Sequence, residues 1–236
     1  KLNGFTPMIG YPAEFETYDG LEISPYDPLG NRMNAVRWGT EDSRSKLGTE
    51  VDPTEWGMFP QTVNAYYSPL TNRIVFPAAI LQPPFFNVDA DDAVNYGGIG
   101  AVIGHEFSHG FDDQGSQYDG QGNLRNWWTD SDRTEFVKLT DRLVAQYDAY
   151  EPLAGETVNG RLTLGENIAD LAGLTMAYRA YQLSLDGEDS PVIDGYTGDQ
   201  RVFLGWAQVW RNAYRDAYLT QLLKTDSHSP GPYRAV

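Results

Sequence analysis

The chain of 236 residues contains no cysteine, so it has no disulfide bonds and no zinc site made of thiolates. It also lacks any run close to the roughly 20 apolar residues that are needed to cross a bilayer. The sequence therefore predicts no membrane segment within this chain. An apolar fraction of 41% is enough for an ordinary globular core.

Positive charge is scarce, because 17 lysines and arginines face 33 aspartates and glutamates, for a net charge of −16. Such a surface repels the phosphates of nucleic acids, and we expect no nucleic-acid partner. Solubility is the simpler explanation of the acidity. Attraction of cationic peptides is the alternative, and composition leaves both open.

Histidine is scarce as well, with three in the chain, and two of them stand in an H-E-x-x-H motif at His105 and His109. Positions i and i+4 share one face of a helix, so both imidazoles can reach one zinc ion. Glu106 is placed to act as general base on a zinc-bound water. The surrounding sequence is apolar and rich in glycine, where unpaired charge would be costly, which argues against a chance match on a surface helix.

A catalytic zinc ion takes three protein ligands and keeps one position open. The longer metzincin pattern needs histidine at 115, where Gly115 stands, and glycine at 112, where Asp112 stands. The best remaining ligand is Glu166, with Asp170 four residues later to accept the free ring N–H of a zinc-binding histidine. From spacing alone, an exposed helix start with acidic residues explains both carboxylates too.

The periodicity predicts a mainly α fold with a small β-hairpin. The hairpin strands are expected at 61–67 and 72–76, and a helix is expected from Asp91 through the H-E-x-x-H motif. Further helices are predicted at 130–149, 164–184 and 198–223. Residues 1–60 are predicted to form loops with one or two short helices. Each glycine in the motif helix costs about 1 kcal/mol relative to alanine, so that helix must be held by tight packing.

Four segments resemble the neprilysin family of zinc peptidases: HEFSHGFDDQG, NAYYSPLTNRIVFPAAILQPPFF, GENIADLAGL and TDSHSPGPYR. The resemblance implies that residues 1–236 are a thermolysin-like (gluzincin) catalytic domain with one Zn²⁺ per chain. It also implies a fragment, because the family carries a long helical N-terminal part and a last C-terminal segment that are absent here. The missing cysteines favour a bacterial member, cytoplasmic or exported, with a cell-surface location as the alternative.

The resemblance assigns roles to residues at matching positions. The zinc ligands are His105, His109 and Glu166, and the catalytic glutamate is Glu106. The residues that assist them are Asp170, which orients a zinc-binding histidine, His228, which donates to the oxyanion, and Arg234, which grips a substrate carbonyl or terminal carboxylate.

The same resemblance implies where a substrate binds. An edge strand would pair with the extended peptide through Asn64, Ala65 and Tyr66. A pocket for the side chain after the scissile bond would be lined by Ile80, Phe85, Ala101, Val102, Val209 and Trp210. Because these are apolar, a hydrophobic residue is expected there. Without the resemblance, the same residues read as a hairpin strand and ordinary core.

The function expected from motif and resemblance is that of a zinc-dependent endopeptidase or oligopeptidase. It would hydrolyse short peptides by Glu-assisted attack of a zinc-bound water. Its partners would be peptide substrates and the missing N-terminal part of the same polypeptide. Two other readings stay open: a catalytically silent binding module that keeps zinc for structure, and a different zinc hydrolase such as an amidase.

Overall fold

The computed structural model of the chain describes residues 1–235, which form two compact units. The smaller unit is Pro12–Gly57. The larger unit joins Lys1–Tyr11 to Met58–Val236. Every residue that the sequence marks as a candidate for the site belongs to the larger unit.

The smaller unit is built around one helix, α1 (Pro28–Ser45). The N-terminus of the helix is capped by Asp27, whose side chain accepts a hydrogen bond from Gly30 N at 2.8 Å, and Pro28 occupies the first turn. Trp38 Nε1 donates to Asp19 O at 2.9 Å and holds the preceding loop against the helix. The prediction of one or two short helices in residues 1–60 was wrong in length, since α1 has 18 residues.

A three-stranded sheet of order β1-β3-β2 lies in the larger unit, with β1 at Thr6–Gly10, β2 at Tyr66–Ser68 and β3 at Arg73–Pro77. β1 runs parallel to β3, whereas β2 and β3 form an antiparallel hairpin. The predicted hairpin is confirmed, although its first strand begins at Tyr66 rather than at 61. β1 was not predicted, because it lies in a stretch rich in proline and glycine. β2 forms one edge of the sheet.

Seven helices follow the sheet in residues 78–235, and α3 continues α2 through one π turn at Tyr96–Gly100. Their bounds are α2 Asp92–Asn95, α3 Ala101–His109, α4 Asp130–Asp148, α5 Leu164–Ser184, α6 Gly198–Val209, α7 Asp216–Thr225 and α8 Gly231–Arg234. The helices predicted at 130–149 and 164–184 are confirmed. The helix predicted at 198–223 is instead α6 and α7, because the chain turns after α6, where Asn212 N donates to Trp210 O at 2.7 Å.

Glycines let α3 and α5 cross in direct backbone contact. A Cβ atom on Gly104 would lie 2.6 Å from Gly173 O, and a Cβ atom on Gly173 would lie 2.5 Å from His105 N. A Cβ atom on Gly97, in the π turn, would collide with the backbone carbonyl of Val202 in α6. The tight packing predicted for the glycine-rich helix is confirmed, and one of its close contacts is next to the first motif histidine.

The main core of the larger unit lies between the sheet and the π turn with α3. Its buried members are Ala65, Ile74, Phe76, Ile80, Ile99 and Val102. A second cluster joins α3, α5 and α6 through Ala101, Ala177 and Trp206. Within residues 1–235, no helix combines the length and the apolar character that crossing a membrane requires.

Candidate metal centre

Two turns of α3 and the first turn of α5 bring three ligand atoms together. The Nε2 atoms of His105 and His109 are 2.9 Å apart. Glu166 Oε2 lies 3.2 Å from the first and 3.5 Å from the second. Ligand atoms about 2.0–2.1 Å from a tetrahedral zinc ion are about 3.3 Å apart. The triangle therefore has the size that three zinc ligands require, and these residues form a group that can hold a metal ion.

The orientation of Glu166 supports a cation at this point. Its Oε2 is buried and, despite the nearby rings, receives no hydrogen bond of good geometry. A buried carboxylate oxygen without a donor is costly in a protein interior. A metal ion between the three residues would satisfy this oxygen and both ring nitrogens at once.

Each motif histidine is held from behind by a carboxylate. His105 Nδ1 is 2.8 Å from Asp170 Oδ1, and His109 Nδ1 is 2.7 Å from Asp112 Oδ2. These contacts keep the proton on Nδ1 and leave the lone pair of Nε2 for a metal. The sequence reasoning singled out Asp170 and missed Asp112, although a position three residues after His109 is a usable signal in a helical turn. Asp112 is fixed in turn by Gly115 N, which donates to its Oδ1 at 2.6 Å.

Asp170 also binds the arginine near the end of the described chain. Arg234 Nε and Nη2 donate to the two oxygens of Asp170 at 2.6 and 2.7 Å. The guanidinium lies 3.6 Å from the centre of the Trp210 ring. Burial raises the pKa of Asp170, but Arg234 and His105 outweigh it and hold that pKa below its usual range. Arg234 is thus engaged within the protein, and its role in gripping a substrate stays a prediction.

Glu106 lies beside the metal ligands and is 4% exposed. Its Oε2 has no hydrogen-bond partner. Burial raises the pKa of Glu106, and the opposing pull of His105 and His109 is too weak to reverse that shift. A buried carboxylate with one free oxygen is suited to take a proton from a water molecule beside the metal.

The electrostatic field of the site favours positive charge. Burial lowers the pKa of His109, but its contacts with Asp112 and Glu166 outweigh burial and raise that pKa to about 10. Burial likewise lowers the pKa of His105, and Asp170 and Glu166 reverse the effect. The same carboxylates would attract a divalent cation, which takes the place of these protons.

His228 faces the ligand triangle from the loop after α7. Its Nε2 is 3.2 Å from Glu166 Oε2, and its Nδ1 is 2.9 Å from Asp226 Oδ1. Its side chain is 43% exposed, against 8% for His105. The predicted oxyanion donor therefore lies beside the candidate metal centre, on a more open side than the ligands.

The centre opens into a cavity of about 710 Å³. Most predicted substrate-binding residues line it: Asn64, Ala65, Tyr66, Ile80, Phe85, Val102, Trp210 and Arg234. Two predicted pocket residues lie outside this wall, since Val209 is buried on α6 and Ala101 packs against Ala177 and Trp206. The sequence reasoning missed several apolar wall residues, which in sequence resemble ordinary core: Tyr118, Trp206, Tyr214 and Leu222.

The chain is similar to characterised proteins over its whole length. It is 38% identical over 247 residues to Neprilysin-3 of Drosophila melanogaster and 42% identical over 246 residues to endothelin-converting enzyme 1 of Homo sapiens. Both comparisons cover 100% of this chain but only 31% and 32% of those proteins. The chain therefore spans about a third of the length of these relatives.

Solved structures agree with the sequence comparisons. The Mycobacterium tuberculosis zinc metalloprotease Zmp1 in complex with an inhibitor matches with a TM-score of 0.96 and 55% identity, over 99% of this chain and 36% of that chain. PepO of Lactobacillus rhamnosis matches with a TM-score of 0.85 and 38% identity, over 99% of this chain and 36% of that chain. The predicted gluzincin fold and zinc cofactor agree with these neighbours. The profile of peptidase family M13 matches residues 64–236, and the chain belongs to that family.

Proposed function

We propose that this chain is the catalytic part of a zinc-dependent peptidase that hydrolyses short peptides and prefers a hydrophobic residue directly after the scissile bond. The observation that carries the proposal is the ligand triangle of His105, His109 and Glu166. It opens into a large cavity beside Glu106, whose carboxylate is buried and has one oxygen without a hydrogen-bond partner.

Zinc on these three ligands would supply Lewis-acid activation of water and of the substrate carbonyl. Glu106 is the group that handles the proton. Its free oxygen takes the proton from the attacking water and then delivers it to the leaving nitrogen. Burial, which raises the pKa of Glu106, brings that pKa closer to the working pH and so favours both transfers.

His228 would stabilise the negative charge that develops on the carbonyl oxygen. Its Nε2 faces Glu166 from the open side of the site, where a donor can reach the substrate. Donors that are fixed in advance at the position of developing charge are among the largest contributors to catalysis. Asp170 and Asp112 would keep the two ligand imidazoles in the right tautomer throughout.

The substrate would bind as an added strand. β2 is an edge strand of the sheet. The cavity is bordered, at the beginning of this strand, by Asn64, Ala65 and Tyr66. Pairing with backbone groups gives affinity that does not depend on sequence. Selectivity would come from the apolar wall of Ile80, Phe85 and Val102, which disfavours charged side chains.

The alternatives are a zinc protein without catalysis and a zinc amidase. A purely structural zinc site is closed by four protein ligands, whereas among residues 1–235 the metal group has three. An amidase for small molecules would need no edge strand beside its site. Both observations favour a peptidase.

The test uses the polypeptide at its natural length and a set of quenched peptides that differ only after the scissile bond. Phenylalanine or leucine there should give a kcat/KM at least about 10-fold above that for aspartate. Small amides serve as the comparison substrates. If the protein hydrolyses small amides but no peptides, the proposed peptidase is wrong and the protein is a zinc amidase. If the zinc-loaded protein hydrolyses neither peptides nor amides, the catalytically silent binding module is favoured.

A further inference from the structure

A chain of buried hydrogen bonds ties the His228 loop to the start of α5. Ser229 Oγ donates to Asn167 Oδ1 at 2.7 Å, and Asn167 Nδ2 donates to Thr163 Oγ1 at 2.8 Å. Thr163 Oγ1 donates to Asn159 O at 3.1 Å. The side chains of Ser229, Asn167 and Thr163 are at most 3% exposed. Neither the metal ligation nor the proposed proton transfers use any of these groups.

The donor and the acceptor of every hydrogen bond in this buried series are fixed. A hydroxyl has one proton, and that of Thr163 goes to a carbonyl oxygen, which can only accept. Thr163 must then accept from the amide nitrogen of Asn167, which turns the amide oxygen towards Ser229. Ser229 is therefore a donor, and a side chain without a hydroxyl at 229 would leave Asn167 Oδ1 buried and unpaired.

The two ends of the Ser229–Asn167 bond are direct neighbours of site residues. Ser229 follows His228, and Asn167 follows the metal ligand Glu166. A second contact, between Arg234 and Asp170, joins the same two segments, and its residue on α5 lies three positions after Asn167. The loop is thus fixed to α5 on both sides of Pro230 and Gly231, and the anchor nearer to His228 is Ser229.

We propose that Ser229 and Asn167 are positioning residues, whose hydrogen bond holds the His228 ring beside Glu166 so that it can donate to the substrate carbonyl. This inference rests on the proposed peptidase function. It predicts that Ser229 acts on turnover through His228. It also predicts no effect of Ser229→Ala on metal binding, because the side-chain hydrogen bond of Ser229 goes to Asn167 and not to a metal ligand.

The test is a double-mutant cycle in the natural-length, zinc-loaded enzyme, with Ser229→Ala, His228→Ala and the double variant. Ser229→Ala should lower kcat about 10-fold with little change in KM, and His228→Ala about 100-fold. The double variant should be no slower than His228→Ala alone. Ser190→Ala is the control, since it removes a partly buried serine hydrogen bond, with Gly198 N, and neither residue lines the cavity. It should lower the melting temperature without lowering kcat.

Two readouts besides turnover separate positioning from simple loss of stability. Zinc content should stay equal in all variants, and a crystal structure of zinc-loaded Ser229→Ala should show the His228 ring displaced or disordered. Independent, multiplicative losses in the cycle, or an unmoved His228 ring, would overturn the inference. If the unaltered enzyme cleaves no peptide, the proposed function fails, and the position of the His228 ring in the two crystal structures then decides the inference by itself.

Discussion

Gly104 on α3 and Gly173 on α5 face each other without a side chain between them. A methyl group on Gly104 would come within 2.6 Å of Gly173 O. His105 follows Gly104 directly, and Glu166 lies two turns before Gly173 on the same helix. The distance between the first and third metal ligands therefore depends on how closely two backbones approach.

Gly104→Ala should therefore damage both the fold and the metal centre. The added methyl group has no space, and the overpacking should reduce the free energy of unfolding by about 1–3 kcal/mol. Zinc affinity should fall as well, because α3 must move away from α5. Chemical denaturation and zinc titration measure the two effects. Gly100→Ala is the control, because its methyl group would meet neighbours at 3.5–3.7 Å, an ordinary contact. An undiminished zinc affinity in Gly104→Ala would show that the metal centre does not depend on this close approach of α3 and α5.

Glu106→Gln should separate metal binding from catalysis. The amide keeps the shape of the side chain but cannot accept a proton, so kcat should fall about 10³-fold. Zinc content should stay at that of the unaltered enzyme, since Glu106 is outside the ligand triangle. Kinetics with a quenched peptide and elemental analysis of the same samples test this. Glu135→Gln, which changes an exposed glutamate paired with Lys138, should leave both values unchanged.

Glu166→Ala should remove zinc. Two imidazoles then remain where a catalytic site needs three ligands, and the zinc content should drop well below one per chain. The zinc-dependent rise in melting temperature should disappear too, because a ligand stabilises only in proportion to its binding. Elemental analysis and thermal scans with and without chelator give both results. Glu156→Ala is the control: it removes a surface carboxylate that pairs with Lys224, and this variant should keep its zinc. Equal zinc content in the two variants would refute the assignment of Glu166 as a ligand.

Asp170→Ala should weaken zinc binding and, separately, reduce the stability of the fold. Loss of the contact with His105 Nδ1 should weaken zinc binding about 10- to 100-fold. Loss of the partner of Arg234 leaves a buried charge unpaired, which should reduce the free energy of unfolding by about 3–5 kcal/mol. Zinc titration and denaturant melts measure the two. Asp141→Ala breaks an exposed pair with Arg161 and should cost at most about 1 kcal/mol.

The sequence was most informative where a pattern is local. The spacing of His105 and His109 predicts two imidazoles on one helix face, and the structure has them there. Glu166 lies 57 residues after His109, so its approach to the pair depends on the crossing of α3 and α5, which no spacing encodes. The i+4 spacing of Glu166 and Asp170 made Glu166 the best candidate, and the family resemblance favoured it over an exposed helix start.

The parts that escaped prediction depend on tertiary contacts. β1 is a strand only because Arg73–Pro77 offers it a parallel partner. The cavity wall includes Trp206 and Leu222, which have the helical spacing of core residues and face the cavity only after α6 and α7 are packed. Residues 210–215 carry no proline or glycine, which are the strongest composition signals for the end of a helix such as α6.

The π turn at Tyr96–Gly100 lets the helix that carries two of the metal ligands absorb one extra residue. A π turn holds about one residue more than an α turn, whereas one extra residue in a regular helix would rotate everything beyond it by about 100°. Deleting one of these five residues would therefore leave a regular helix from Asp92 onward, with His105 and His109 still turned towards Glu166.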